Sequence, residues 1–131
     1  MIQSVHIFAG FFETREDASA YTEAHWEPEP TEGVCDQEYA AWESRNPIWP
    51  LRSDLGVYLD SDFIEMIDAV DRYEYLGEML TDPNAVERIR SDAGDKANTL
   101  LLIFAAALGN FPATMKSTAK LTYCGNFSCE L

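Results

Sequence analysis

The sequence predicts an α+β fold: a mainly antiparallel sheet of about four strands with helices packed on its faces, in one domain over residues 1–131. Three observations carry this expectation. Strand-like runs stand towards both ends of the chain, at Ser4 to Phe12 and Lys120 to Cys124. The apolar run Thr99 to Leu108 suits a central strand buried on both sides. The stretches between them show helical spacing with start and stop signals.

In the first run Val5, Ile7 and Ala9 share one face and Phe8 takes the other, so an interior strand is expected. Thr14 offers an N-cap, and Glu16 and Asp17 stand in the first turn, where the helix dipole favours anions. A helix from Arg15 to about His25 follows, burying Ala18, Tyr21 and Ala24 or His25. Trp26 to Gly33, with two prolines, a glycine and Glu27, Glu29 and Glu32, reads as an exposed acidic loop. Asp36 caps a second helix to Arg45, with Tyr39, Ala40 and Trp42 as its apolar set and Asn46-Pro47 as its stop.

Asn46 to Leu55 reads as a loop carrying apolar side chains, and Gly56 to Val70 fits a strand or a helical stripe, with strand preferred. Tyr73 to Leu80 is helical. Asp82 caps a further helix with Pro83 at its first position, Val86, Ile89 and Ala93 as its buried face and Gly94 as its end. The strands at Thr99 to Leu108 and Lys120 to Cys124 are expected to pair as neighbours around a turn at Gly109-Asn110-Phe111-Pro112.

A hydrophobic share of 47% with 12% aromatics marks a folding chain despite a net charge of −14. The charge is unevenly placed. Residues 13–95 hold 22 of the 23 acids against six arginines, a balance of −16, while the remainder carries three lysines and one glutamate. Such a field repels nucleic acid and anionic membrane, because phosphate binding requires Lys and Arg, and it steers a cationic partner. The opening residues lack a secretory pattern, and the longest apolar run is about half of a bilayer span, so a cytoplasmic location with no membrane association is expected. Cys35, Cys124 and Cys129 form no CxxC pair and read as reduced, structural thiols.

No HExxH, GxSxG, P-loop or GxGxxG pattern occurs, so no metal, cofactor or catalytic residue is assigned and the chain reads as a non-enzyme. His6 falls among core positions of the first strand, where a hydrogen-bonded structural role fits best. With 23 carboxylates, close pairs such as Asp60 and Asp62 arise by chance and carry little weight for acid–base chemistry. One cluster rises above this background. Trp49, Tyr58 and Phe63 are interleaved with Asp54, Asp60, Asp62 and Glu65, the mixture of anchors and steering charges that protein interfaces use.

The order of motifs resembles the bacterial immunity protein 22 family, small cytoplasmic proteins of polymorphic toxin systems. The likeness lies in Val5 to Phe12 with the acidic stretch Glu13 to Glu23, in Leu59 to Glu65, and in Lys96 to Phe104. Residues 26–55 and 105–108 depart from the family pattern. The resemblance implies an antitoxin that binds a cognate toxin, and it transfers no list of contacts.

Charge and resemblance together lead to the expectation of a toxin-neutralising immunity protein whose partner is a toxin with a basic surface, of nuclease type. The residues expected to bind it are Asp54, Tyr58, Asp60, Asp62 and Glu65, with Trp49 as an anchor and Glu27, Glu29 and Glu32 as a flexible rim. The alternative is an acidic adaptor or DNA-mimic inhibitor of a nucleic-acid enzyme. An enzyme resting on Asp60, Asp62 and His6 ranks third.

Overall fold

Val5, Ile7 and Ala9 are buried on one side of β1 (Ile2–Gly10) and Phe8 on the other, so this strand has a core on both faces. The computed structural model describes residues 2–109, 111 and 113–130. Its four-stranded sheet has the order β2 (Ile64–Ile67), β3 (Thr99–Phe104), β1, β4 (Thr122–Glu130), with every pairing antiparallel. All six residues of β3 are buried, as its unbroken apolar sequence requires of a strand covered on both sides.

Among the described residues five α-helices lie outside the sheet. Tyr73 and Leu76 of α4 (Arg72–Met79) and Ala85 and Ile89 of α5 (Ala85–Ala93) pack on the face formed by Val5, Ile7, Leu100 and Leu102. Ala18 and Tyr21 of α1 (Arg15–Thr22) and Leu51 and Leu55 of α3 (Pro50–Leu55) cover Phe8, Leu101 and Ile103 opposite. The α+β class is therefore what the chain adopts. The helix start at Thr14 is real, its hydroxyl accepting the Asp17 N–H at 3.1 Å.

Several details differ from the sequence expectation. The strands β3 and β4 are not neighbours, because β1 lies between them and bonds to both. The helix α1 stops at Thr22 since His25 is held elsewhere, exchanging backbone hydrogen bonds with Ile48. Residues 46–55 are not all loop: Pro50 occupies the first turn of α3, where its missing N–H costs nothing, and Gly56 ends the helix in the left-handed conformation. Only Ile64–Ile67 of the stretch 56–70 is strand, preceded by a 3-10 turn at Ser61–Phe63. A second 3-10 turn, Ala105–Leu108, ends the apolar run.

Capping also departs from expectation at two helices. Asp36 lies inside α2 (Asp36–Arg45), after Cys35 as N-cap, and Asp82 accepts the Asn84 N–H in a turn just ahead of α5. The turn expected around Gly109-Asn110-Phe111-Pro112 lies partly outside the described residues. Cys124 and Cys129 are buried and Cys35 is exposed, and none is in a disulfide. No helix among the described residues is long and apolar enough to cross a membrane.

Two glycines shape the pairing around β1. The register of β1 with β4 shifts beside Gly125, whose φ of +120° suits a residue without a side chain. At Gly10 the issue is space: a Cβ there would stand 2.6 Å from the Lys120 carbonyl oxygen. Gly10→Ala is expected to cost about 1–3 kcal/mol of stability, because backbone cannot swing aside as a side-chain end can. Urea unfolding of the variant measures this loss.

Candidate partner-binding surface

The stretch from Tyr58 to Glu65 is placed by its own carboxylates and by the end of the apolar run. Asp60 accepts the Asp62 N–H on its side-chain oxygen at 3.0 Å, which opens the 3-10 turn. Its own N–H donates to the Ala107 carbonyl at 2.8 Å, pinning the turn to the segment that follows β3. Tyr58 rests at 5.5 Å, ring centre to ring centre, from Phe111, and both rings are largely in water, 52% and 64% exposed. Phe63 is also exposed.

Beside this turn lies a cleft of about 640 Å³, lined by Gln3, Phe104, Ala106 and the run Asp62 to Glu65, Ile64 included. It opens at the end of the sheet where β1 begins and β3 finishes. Glu65 lies within hydrogen-bonding reach of the Tyr75 hydroxyl, at 3.2 Å. Burial raises the pKa of that phenol first, and the Glu65 carboxylate adds to the rise. Asp62, Phe63 and Glu65 thus line one cleft, and Asp60 and Tyr58 stand in the segment that leads into it. A carboxylate set of this kind accepts hydrogen bonds from Lys or Arg, and the rings supply area for burial.

The other expected residues lie elsewhere. Trp49 is only 5% exposed, packed with Leu51 and Phe8 in the core, and its indole N–H donates to the Thr22 carbonyl at 2.8 Å. It is therefore a core residue rather than a projecting anchor, and it meets solvent only as one wall of a 330 Å³ cleft under α1. Asp54 accepts the Tyr21 hydroxyl at 2.7 Å, a hydroxyl that also lies 2.7 Å from Thr118. This ties α1 to α3 and to the segment before β4.

Glu27 and Glu29 are occupied within an acidic arm, residues 26–46. Glu27 receives the Arg45 guanidinium at 2.9 Å, Glu29 receives the Tyr39 hydroxyl at 2.8 Å, and Trp26, Trp42 and Tyr39 pack as a row of rings. These links give the loop defined partners where the sequence suggested a flexible rim. Glu32 is exposed on the same loop, and no residue of α2 is buried.

Phe111 and Trp26, both more than half exposed, were not among the residues expected to bind a partner. The signal for Phe111 was its place beside Gly109 in a turn, which leaves a ring little core to enter. Among the described residues no group of three His, Cys, Asp or Glu side chains gathers as a metal site. His6 is half-buried, with its Nδ1 2.7 Å from the Tyr123 hydroxyl, and burial lowers its pKa.

Burial pushes the Tyr21 phenol up to about 12, Thr118 opposing the rise and Asp54 adding to it. The folded state thus keeps a proton that the unfolded chain gives up near 10. Stability is fully present below pH 10 and is expected to fall as the pH rises through about 12. Urea titrations at pH 9 and 11 measure this, and Tyr21→Phe is expected to flatten the difference.

No protein-family model matches the chain, and no curated protein and no solved structure matches it.

Proposed function

We propose that this chain is a toxin-neutralising immunity protein that acts in the cytoplasm by binding a basic effector of nuclease type, without catalysis of its own. The observation that carries the reading is the cleft where exposed Phe63 stands with Asp62 and Glu65, following in the chain on Tyr58, whose exposed ring pairs with Phe111. Exposed rings offer an apolar centre for association. The carboxylates around them, in a chain of net charge −14, accelerate encounter with a positive surface. A nuclease site built for phosphate has that positive surface, and covering it blocks substrate.

The test is capture from lysate and secretome of the producing strain, read by mass spectrometry at low and at physiological salt. Retention of a single basic protein with nuclease activity at physiological salt is the expected result. Release of many unrelated basic proteins together as salt rises contradicts the proposal and leaves a nonspecific acidic coat. Retention of a host nucleic-acid enzyme instead selects the DNA-mimic alternative.

A further inference from the structure

The two edges of the sheet are treated differently. The outer edge of β4 is covered: Leu80 bridges to Cys129, Thr81 N–H donates to Ser128, and Tyr123 N–H donates to the Ser117 hydroxyl. The outer edge of β2 is not. Its four residues are only half-buried, and among the described residues their backbone bonds run to β3, apart from the Ile64 N–H to Ser61. In an antiparallel pair every second residue turns its N–H and C=O away from its neighbour, so two of the four residues of β2 face outward and, the Ile64 N–H to Ser61 apart, their backbone groups have no partner among the described residues.

The bare edge also has a cleft on each face. Ile64 and Met66 point to the α1 side, where the cleft with Trp26, Trp49 and Thr22 lies. Glu65 points to the α4 side, where the cleft holds Asp62, Phe63 and Phe104. Residues directly opposite each other across a strand pair turn to the same face. A strand laid on β2 therefore sends alternate side chains into the two clefts. Both clefts mix carboxylates with apolar groups: Asp62 and Glu65 stand with Phe63 and Phe104 on one side, Glu23 with Met66 and the indole rings on the other, and Ile64 borders both.

We infer that the outer edge of β2 receives an extended segment of the basic partner as a fifth strand, with Lys or Arg side chains among apolar ones. Main-chain hydrogen bonds hold the segment, and the carboxylates and apolar groups of the two clefts receive its side chains. Charge decides between occupants. A second copy of this chain brings −14 against −14, whereas a basic strand meets Asp62 and Glu65 with opposite sign. The inference rests on the reading that the partner is a basic protein, and it adds where and in what conformation that partner is held.

The test uses the full chain and a synthetic probe at physiological salt. The probe is a mixture of eight-residue peptides with lysine at every second position and valine, isoleucine, leucine, phenylalanine or tyrosine between. Backbone amide NMR and amide exchange locate its binding. The expected result is shifted, protected amides at residues 64–67, lost when the same mixture carries N-methylated backbone nitrogens and weakened about tenfold by Glu65→Lys. Equal binding by the methylated mixture, shifts confined to other surfaces, or no binding each overturn the fifth-strand inference. The first two of those results leave the capture of a basic effector intact, and that capture is decided by the lysate experiment alone.

Discussion

Replacing Trp49 with alanine is expected to lower the free energy of unfolding by about 3–5 kcal/mol. The ring is 5% exposed and packed among Phe8, Leu51 and Leu101, so its removal leaves a cavity as well as lost transfer energy. The indole N–H bond to the Thr22 carbonyl disappears with it, leaving that carbonyl without its side-chain partner. A domain of this size has about 5–15 kcal/mol in total, so the variant approaches the edge of folding. Tyr58→Ala is the contrast. With half of its surface already in water, it is expected to cost no more than about 1 kcal/mol and to act on partner binding instead. Urea unfolding of the two variants measures both, and a small loss at Trp49 contradicts its placement in the core.

Reversing Asp62 and Glu65 to lysine is expected to slow association with the captured effector about 10- to 100-fold at low salt, with the gap closing as salt is added. Both carboxylates line the cleft beside Phe63. Asp60 is left unchanged because it accepts the Asp62 N–H, and its loss would disturb the turn itself. A control separates local from overall charge. Reversing Glu87 and Asp95, exposed residues on and just after α5, changes the net charge equally, yet it is expected to alter the rate about threefold or less. Stopped-flow association at several salt concentrations reads both pairs, and equal slowing by the two pairs removes the assignment of Asp62 and Glu65.

The strands β1 and β3 were legible because their apolar residues alternate or run unbroken, and the Thr14 cap because its chemistry is local. Strand order was not, since β1 inserts between β3 and β4 through contacts distant in sequence. The parity of β4 was hidden as well. Cys124 and Phe127, three residues apart, reach the same core because the register shifts beside Gly125. Pro50 misled by type: a proline that marks a loop in one place begins α3 here.

At the surface, Asp60, Asp62 and Glu65 were visible as acids among aromatics. Phe63 stands in a turn that the Asp60 N–H ties to Ala107, a contact distant in sequence that no local pattern announces. Asp54, Glu27 and Glu29 carry the same charge but are engaged by Tyr21, Arg45 and Tyr39, so a count of acids could not distinguish them.

The most direct measurement is growth of cells expressing the captured effector, alone and together with this chain or its Asp62→Lys, Glu65→Lys double variant. Growth is expected to be arrested by the effector, restored by the wild-type chain, and restored poorly by the double variant at equal protein level. Arrest that persists with folded wild-type chain present contradicts neutralisation, and full rescue by the double variant places neutralisation on another surface.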